Sequence, residues 1–486
     1  MRCAEQEFID SGFMSSDELM DYAIDSARIQ LKLDPFFRTI AERFAHVVVY
    51  AGKGKNAGDA IGLAYALGFD EILLRCVCRA REMAPETRRQ LDNVPSDILR
   101  IVPAEEVIDN PLRAEEGLLI IDGLLGSGAS GALRPEYAEL VQEMNDLRAS
   151  HKRCITLAVD VPSGLGADDG SVNAPTVVAD ATLAIGCVKP GLLADGAEDY
   201  VGRLLCVPLP RELELPPSQA NVLDSTMVHL LPRRPYSCYK NRAGRVRIIA
   251  GSPGFTGAAE LCSEAAVLAG AGLVELYCRA DVYPILASRV RAEVMVHPIT
   301  SYSEVPRDGA DALLIGPGLG RPDASELPAL QSLIEHPPCP LTLDADGLNL
   351  AAEHGWRIHP NSILTPHPGE MRRLFPEAAQ LSRAECAARF VQQTPCTLLL
   401  KGARSIISDG AGLLYNSTGG PYMANGGQGD VLAGVITAFV AQGLSLKDAA
   451  ALGAYSCGRA ATTLHTLSGE PLAVLASGLT HYLTCY

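Results

Sequence analysis

The residues best suited to chemistry form one run, Asn425-Gly426-Gly427-Gln428-Gly429-Asp430. An apolar stretch from Val431 to Val440 follows it and predicts a buried helix. Glycines therefore sit where a loop enters a helix. Bare N–H groups at such a junction cradle an anion, and the helix dipole favours negative charge there. Asp430 falls in the first turn, placed to take a proton from a hydroxyl as a phosphate arrives. The plainer alternative is a glycine-rich turn in which Asp430 caps the helix.

Other candidates occupy turns that follow apolar strands. In the C-terminal half, Lys401 and Arg404 could meet phosphate or ribose. His367 stands between two prolines. It could donate to a substrate amide or hydroxyl, or it could stabilise its own turn. Gly316 to Gly320 would let a flat ligand approach the backbone. In the N-terminal half, Asn56, Asp122, Asp160 and Ser163 could converge at one crevice. Asp122 and Ser163 offer hard oxygen ligands to a cation, whereas capping and turn-closing roles are their structural alternatives. No Walker lysine motif accompanies the Gly-Asp pair. Phosphoryl transfer onto a hydroxyl, by a sugar-kinase-like mechanism with a divalent ion, follows from this set.

The elements that must hold these residues read as two α/β units. A helix is predicted from Asp17 to about Phe44, then a strand Val47 to Tyr50, a turn Ala51 to Asp59 and a helix Ala60 to Leu67. Strands follow at Ile72–Val77, Leu118–Ile121, Thr156–Val159, Ala181–Ile185 and Arg203–Val207. Pro216-Pro217-Ser218 marks a linker. The pattern then restarts with strand Val246–Ala250, a small-residue helix Ala259–Ala269 and strands at Leu273–Tyr277, Ala312–Ile315, Leu341–Leu343, Ser362–Leu364 and Thr397–Leu400. The expected fold class is α/β, with two three-layer α/β/α domains: residues 1–212, a linker 213–221, and residues 222–486.

Composition narrows the function. At 486 residues the chain exceeds one ordinary core. Hydrophobic content of 48% and charged content of 20% suit a globular protein. A net charge of −16 argues against nucleic-acid partners. No apolar run reaches membrane-span length, and no signal peptide precedes Asp10, so a cytoplasmic protein without membrane attachment is expected. Scattered cysteines, with Cys76 and Cys78 off metal-site spacing, suit free thiols.

Both halves resemble known families. Gly52 to Asp59, Ile121 to Gly128 and Val159 to Gly164 are similar to the NAD(P)H-hydrate epimerases. Lys240 to Val246, Gly257-Ala258, Gly270-Ala271-Gly272, Gly316 to Gly320, Thr365 to Glu370, Lys401-Gly402-Ala403 and Asn425 to Gly434 resemble the nucleotide-dependent hydrate dehydratases. Together they resemble the bifunctional repair enzymes of hydrated NADH and NADPH. That resemblance implies a Rossmann-like N-terminal domain that interconverts R and S hydrates. It implies a ribokinase-like C-terminal domain that dehydrates the S hydrate with ADP, or with ATP as in eukaryotic relatives. Mg2+ and K+ are the implied ions, and a homo-oligomer is expected.

Residue by residue, the resemblance makes Asp430 a catalytic hydrate contact and Gly429 a nucleotide contact. Lys401, Gly402, Ala403, Arg404 and Ser405 match nucleotide contacts as well. Ala258, Gly320 and His367 match hydrate contacts. In the N-terminal half, Asn56, Asp122 and Ser163 match potassium ligands. Lys55, Asn56, Ala57, Gly58 and Asp59, with Gly126, Ser127, Gly128, Ala129, Ser130, Gly131 and Ala132, match hydrate contacts. Asp160 matches one too and is the candidate for moving the epimerisation proton. Lys55 departs from the family pattern and sets a positive charge near the expected ion, which would weaken or replace it. Ala57, Ala60 and Gln428 depart as well. Two rival readings are a small-molecule kinase and a non-catalytic N-terminal ligand-binding domain.

Overall fold

The structure is a computed structural model that describes residues 2–34, 36–38, 44–103, 108, 117–151, 153–213, 218, 220–231, 233–469 and 471–483. It divides into two compact units, Met1–Pro217 and Ser218–Tyr486. The expected linker prolines lie outside the described residues.

The first unit holds helices α1 (Arg2–Asp10), α2 (Ser16–Leu33), α3 (Lys55–Leu67), α4 (Pro85–Asn93), α5 (Pro135–Ser150) and α6 (Glu198–Val201). Its strands are β1 (His46–Ala51), β2 (Ile72–Cys76), β3 (Leu99–Val102), β4 (Leu118–Gly123), β5 (Cys154–Val159), β6 (Ala181–Ile185) and β7 (Arg203–Val207). They form one parallel sheet ordered β3-β2-β1-β4-β5-β6-β7. Runs such as Val47-Val48-Val49 and Leu118 to Ile121 are buried throughout, because helices cover both faces. The strand order reverses direction between β1 and β4, and ligands bind at such switch points. Register sets Tyr50 beside Asp122 there.

The second unit carries a ten-stranded sheet. Its strands are β8 (Ala220–Val222), β9 (Arg245–Ile249), β10 (Leu273–Arg279), β11 (Val294–Ile299), β12 (Ala312–Ile315) and β13 (Leu341–Leu343). They continue with β14 (Ser362–Leu364), β15 (Thr397–Leu400), β16 (Ser405–Ser408) and β17 (Leu413–Asn416). The order is β11-β10-β9-β12-β13-β14-β15-β16-β17-β8, parallel except for the two pairings made by β16. The helices are α7 (Thr256–Leu268), α8 (Tyr283–Arg289), α9 (Leu327–Glu335), α10 (Ala345–His354), α11 (Pro368–Leu374) and α12 (Arg383–Gln393). The last three are α13 (Gln428–Ala441), α14 (Leu446–Leu467) and α15 (Ala476–Leu479). α13 is buried from Val431 to Ala441, as expected of a helix apolar on every side at the centre of a core.

Several boundaries differ from expectation. α3 begins at Lys55, not Ala60, because Ala57 and Ala60 favour a helix where glycines would have kept a loop. α13 begins at Gln428, one turn before the apolar run, and α7 begins at Thr256. α2 ends at Leu33, and residues 39–43 lie outside the described region. Ala220 and Asn221, within the stretch read as linker, are strand. β3, β11, β16 and β17 are short or polar at their edges and gave no clear periodic signal. Cys76, Cys78, Cys154, Cys238, Cys262, Cys278, Cys339, Cys386, Cys396 and Cys457 are free thiols. Among the described residues, no helix is long and apolar enough to cross a membrane.

Candidate active sites

In the second unit, the loops after β9, β12, β13, β14 and β15 share one end of the sheet. α13 enters at that end with Gly427 as its N-cap, at φ 94, and no side chain caps its amides. A left-handed cap of this kind suits glycine, and a side chain there would also press on Leu261. Open space surrounds Gly426. The first-turn N–H groups are thus left for a ligand. Asn425 and Gln428 pin the loop from below, each donating to the Val474 carbonyl, at 2.9 and 2.8 Å.

Lys401 faces this cradle. A side chain at Gly429 would start 3.3 Å from its Nζ and 4.0 Å from Asp344 Oδ2. Lys401 donates to Asp344 Oδ1 at 2.8 Å and lies 3.9 Å from Glu370. Thr365 donates to the same Asp344 oxygen at 2.7 Å. Gly320 N–H donates to Asp346 at 2.8 Å, and Ala345 between the two acids takes a left-handed φ of 46. Such a conformation in a non-glycine residue is uncommon and clusters at functional sites. Burial first, then the Asp344 charge, pushes the Asp430 carboxyl up to about 7, with Lys401 opposing and Asp346 adding to the rise. A carboxylate poised near neutrality suits a general base.

The remaining expected residues divide. Ala258, in the first turn of α7, adjoins the Gly316 to Gly320 loop that carries Gly320: a side chain at Gly318 would strike Phe255 and Ala258. His367 caps α11. Its Nδ1 accepts from Gly369 and Glu370 N–H at 2.9 and 3.3 Å, which puts the ring proton on Nε2, 3.4 Å from Glu370. The turn-stabilising reading is therefore the one its geometry fills. Gly402 and Ala403 are exposed, Ser405 opens β16, and Arg404 is buried rather than presented to solvent. Asp344, Asp346 and Glu370 received no role from sequence reasoning, although their strand-end positions were a usable signal.

In the first unit the candidates meet at the β1–β4 switch point. Gly52 lets β1 pass close to Leu124, where a side chain would strike the Leu124 carbonyl. Asn56, in the first turn of α3, donates to the Leu125 and Val159 carbonyls at 2.8 and 3.0 Å. Its Oδ1 is buried and has no hydrogen-bond partner. Asp122 is fully buried and accepts from Ser163 Oγ at 2.7 Å and Ser163 N–H at 2.8 Å. Burial pushes its carboxyl up to about 6. An orphaned amide oxygen beside a buried carboxylate and a hydroxyl fits a hard monovalent cation. Lys55 does not compete for that place. Its ammonium is tied to Glu86 at 2.9 Å and Ser16 at 2.7 Å.

Asp160 sits just past β5 with φ 68. One carboxylate oxygen accepts from Ser127 N–H at 3.0 Å, and the other pairs with the buried Lys189 ammonium. Lys189 also donates to the Ile185 carbonyl at 2.8 Å. Sequence reasoning missed Lys189, though it follows strand β6. A cavity of about 660 Å³ opens over these groups, lined among others by Lys55, Asn56, Asp59, Gly126, Ser127, Gly128, Ala129 and Asp160. Ala57 and Gly58 are buried instead, Gly58 packing against Met20 and Thr87. Ser130, Gly131 and Ala132 are exposed outside the cavity lining.

Two family models match the chain. One, described as YjeF-related protein N-terminus, spans residues 30–191, and the other, NAD(P)H-hydrate dehydratase, spans residues 246–484. A bifunctional NAD(P)H-hydrate repair enzyme of Moorella thermoacetica is 33% identical over 90% of this chain and 86% of its own length. One from Escherichia coli is 36% identical over 86% of this chain and 81% of its own. This chain belongs to the bifunctional NAD(P)H-hydrate repair enzyme family. Within that family its second unit is the part that matches the NAD(P)H-hydrate dehydratase model. A solved ADP/ATP-dependent NAD(P)H-hydrate dehydratase from Bacillus subtilis, co-crystallised with ATP and Mg2+, is 28% identical. It covers 53% of this chain and 94% of its own, with a TM-score of 0.47.

Proposed function

We propose that this chain restores hydrated NADH and NADPH: the first unit interconverts R and S hydrates, and the second dehydrates the S hydrate with ADP. The observation that carries the reading is Asp430, raised to about 7 in the first turn of α13, beside uncapped amides and the Lys401–Asp344 pair. Membership of the repair-enzyme family supports it.

The hydroxyl of the hydrate is a poor leaving group. Asp430 takes its proton, and the oxygen bonds to the terminal phosphorus as the bond to the bridging oxygen breaks. The α13 amides and Lys401 stabilise the charge that moves with the phosphoryl group. The ring nitrogen then expels phosphate, and loss of the neighbouring C–H proton restores the dihydropyridine. With ADP the products are AMP and phosphate, and ATP is the alternative donor.

Three carboxylates, Asp344, Glu370 and Asp430, face one ammonium, and Asp346 adds its charge beside Asp430, so a divalent cation fits. Among the described residues no three metal ligands are already gathered as a cage. Asp344 and Glu370 would hold Mg2+ brought in on the phosphates, where it would neutralise nucleotide charge. In the first unit, Asn56, Asp122 and Ser163 would hold K+ and so fix the loops around Asp160. Incubating separated R and S hydrates with ADP or ATP, and following NADH absorbance, tests the proposal. No NADH from the S hydrate with either nucleotide overturns it.

A further inference from the structure

The first unit's cavity has one wall that no strand-end loop provides. α1 lies over it, contributing Glu5, Gln6 and Ile9 to the lining. Phe8 anchors the same helix in a small apolar cluster with Leu19 and Leu213. Glu5 is half-buried and, among the described residues, has no ion-pair partner. Burial raises its carboxyl, Lys189 and Lys55 oppose the rise, and the Asp160 charge adds to it. Asp160 stands on a different wall, at a strand end, held by Ser127 and Lys189. Asp59, in α3, also lines the cavity, and its carboxyl is pushed well up, chiefly by burial. The cavity therefore presents one carboxylate paired to an ammonium and another on a separate element without such a pair. Carboxyls kept in unlike surroundings divide the acid and base roles of a reaction.

We propose that Glu5 is a second catalytic residue of epimerisation, the proton donor that works opposite Asp160. The proposal rests on the epimerase reading of this cavity. The hydrate carries its hydroxyl on a carbon bonded to the ring nitrogen. Asp160 takes the hydroxyl proton, and the oxygen electron pair forms an aldehyde C=O. The C–N bond breaks with its pair going to nitrogen, and Glu5 gives nitrogen a proton. Rotation about the adjacent C–C bond turns the other aldehyde face toward nitrogen. Ring closure reverses each step: nitrogen attacks, its proton returns to Glu5, and Asp160 returns a proton to oxygen. No oxidant or reductant is consumed.

The test uses the full chain with pure R hydrate and no nucleotide, following the S epimer by chromatography. Glu5→Gln should lower kcat on the order of 10²-fold while KM stays within about threefold. Glu5→Ala should regain rate on addition of acetate, a response that wild type does not share and a purely structural role would not give. A wild-type rate in Glu5→Gln, a loss confined to KM, or no acetate rescue overturns the proposal. A wild-type chain that does not interconvert the epimers overturns instead the epimerase reading beneath it. Thermal midpoints of each variant report its folding.

Discussion

Lys401 donates to Asp344 Oδ1 at 2.8 Å, and this leaves Asp430, one turn into α13, as a carboxylate with no ion pair of its own among the described residues. The cluster holds more negative charge than its one ammonium offsets. Burial, with that imbalance added to it, keeps a base near neutrality, and the excess negative charge invites a cation with the nucleotide.

Asp430→Asn removes the base without disturbing the amide cradle. Turnover of S hydrate with ADP should fall on the order of 10³-fold. ADP affinity by calorimetry should stay within about threefold, or tighten as a negative charge leaves. Turnover within tenfold of wild type would remove Asp430 from the proton transfer.

The pH dependence has a definite sign. The base acts ionised, so kcat/KM for the S hydrate should rise tenfold per pH unit below about 7 and level above it. Stability should run the other way. The folded pKa lies above the unfolded value of 3.8, so the folded state binds more protons between 3.8 and about 7. Wild type therefore loses the Asp430 share of its stability as pH rises through that window; Asp430→Asn lacks that share and keeps only the losses that Asp122 and Asp59 contribute to both proteins. At pH 8 the variant should be more stable by on the order of 2 kcal/mol, and the gap should close toward pH 4. Thermal melts at several pH values measure this.

Lys189→Met strands the Asp160 carboxylate in a buried place, with the pair's side chains only 7% and 11% exposed. A cost of about 3–5 kcal/mol is expected in urea unfolding. Adding Asp160→Asn to that variant should recover a large part of the loss. Independent, additive losses in the double variant would show that the two groups do not depend on each other.

The orphaned Asn56 oxygen predicts a response to potassium that needs no substrate. Replacing KCl by choline chloride at equal ionic strength should lower the melting midpoint of wild type by a few degrees. Asn56→Ala should melt at one temperature in both salts. An equal drop in variant and wild type would assign the effect to ionic strength.

The placement of Asp122, Asp160 and Asp430 at strand ends or in a helix's first turn was legible because long apolar runs announced those elements. The start of α3 was not. The glycines at 52, 54 and 58 read as one turn and outweighed the helix preference of Ala57 and Ala60. His367 was legible only as two alternatives, since choosing between them needed the hydrogen bonds to Gly369 and Glu370. Lys189 and Glu5 escaped because their partners are distant in sequence: Lys189 meets Asp160 across 29 positions, and Glu5 reaches the cavity only by the docking of α1. The hairpin β16–β17 was hidden by its length of four residues per strand.

β8 is three residues long, yet it decides where the C-terminal half can be severed. Its pairing with β17 is parallel and joins Ala220, Asn221 and Val222 to Leu413, Leu414 and Tyr415. A fragment beginning after Val222 would bare the N–H and C=O groups of β17 and invite end-to-end stacking of copies. One beginning at Ser218 would carry its own edge protection.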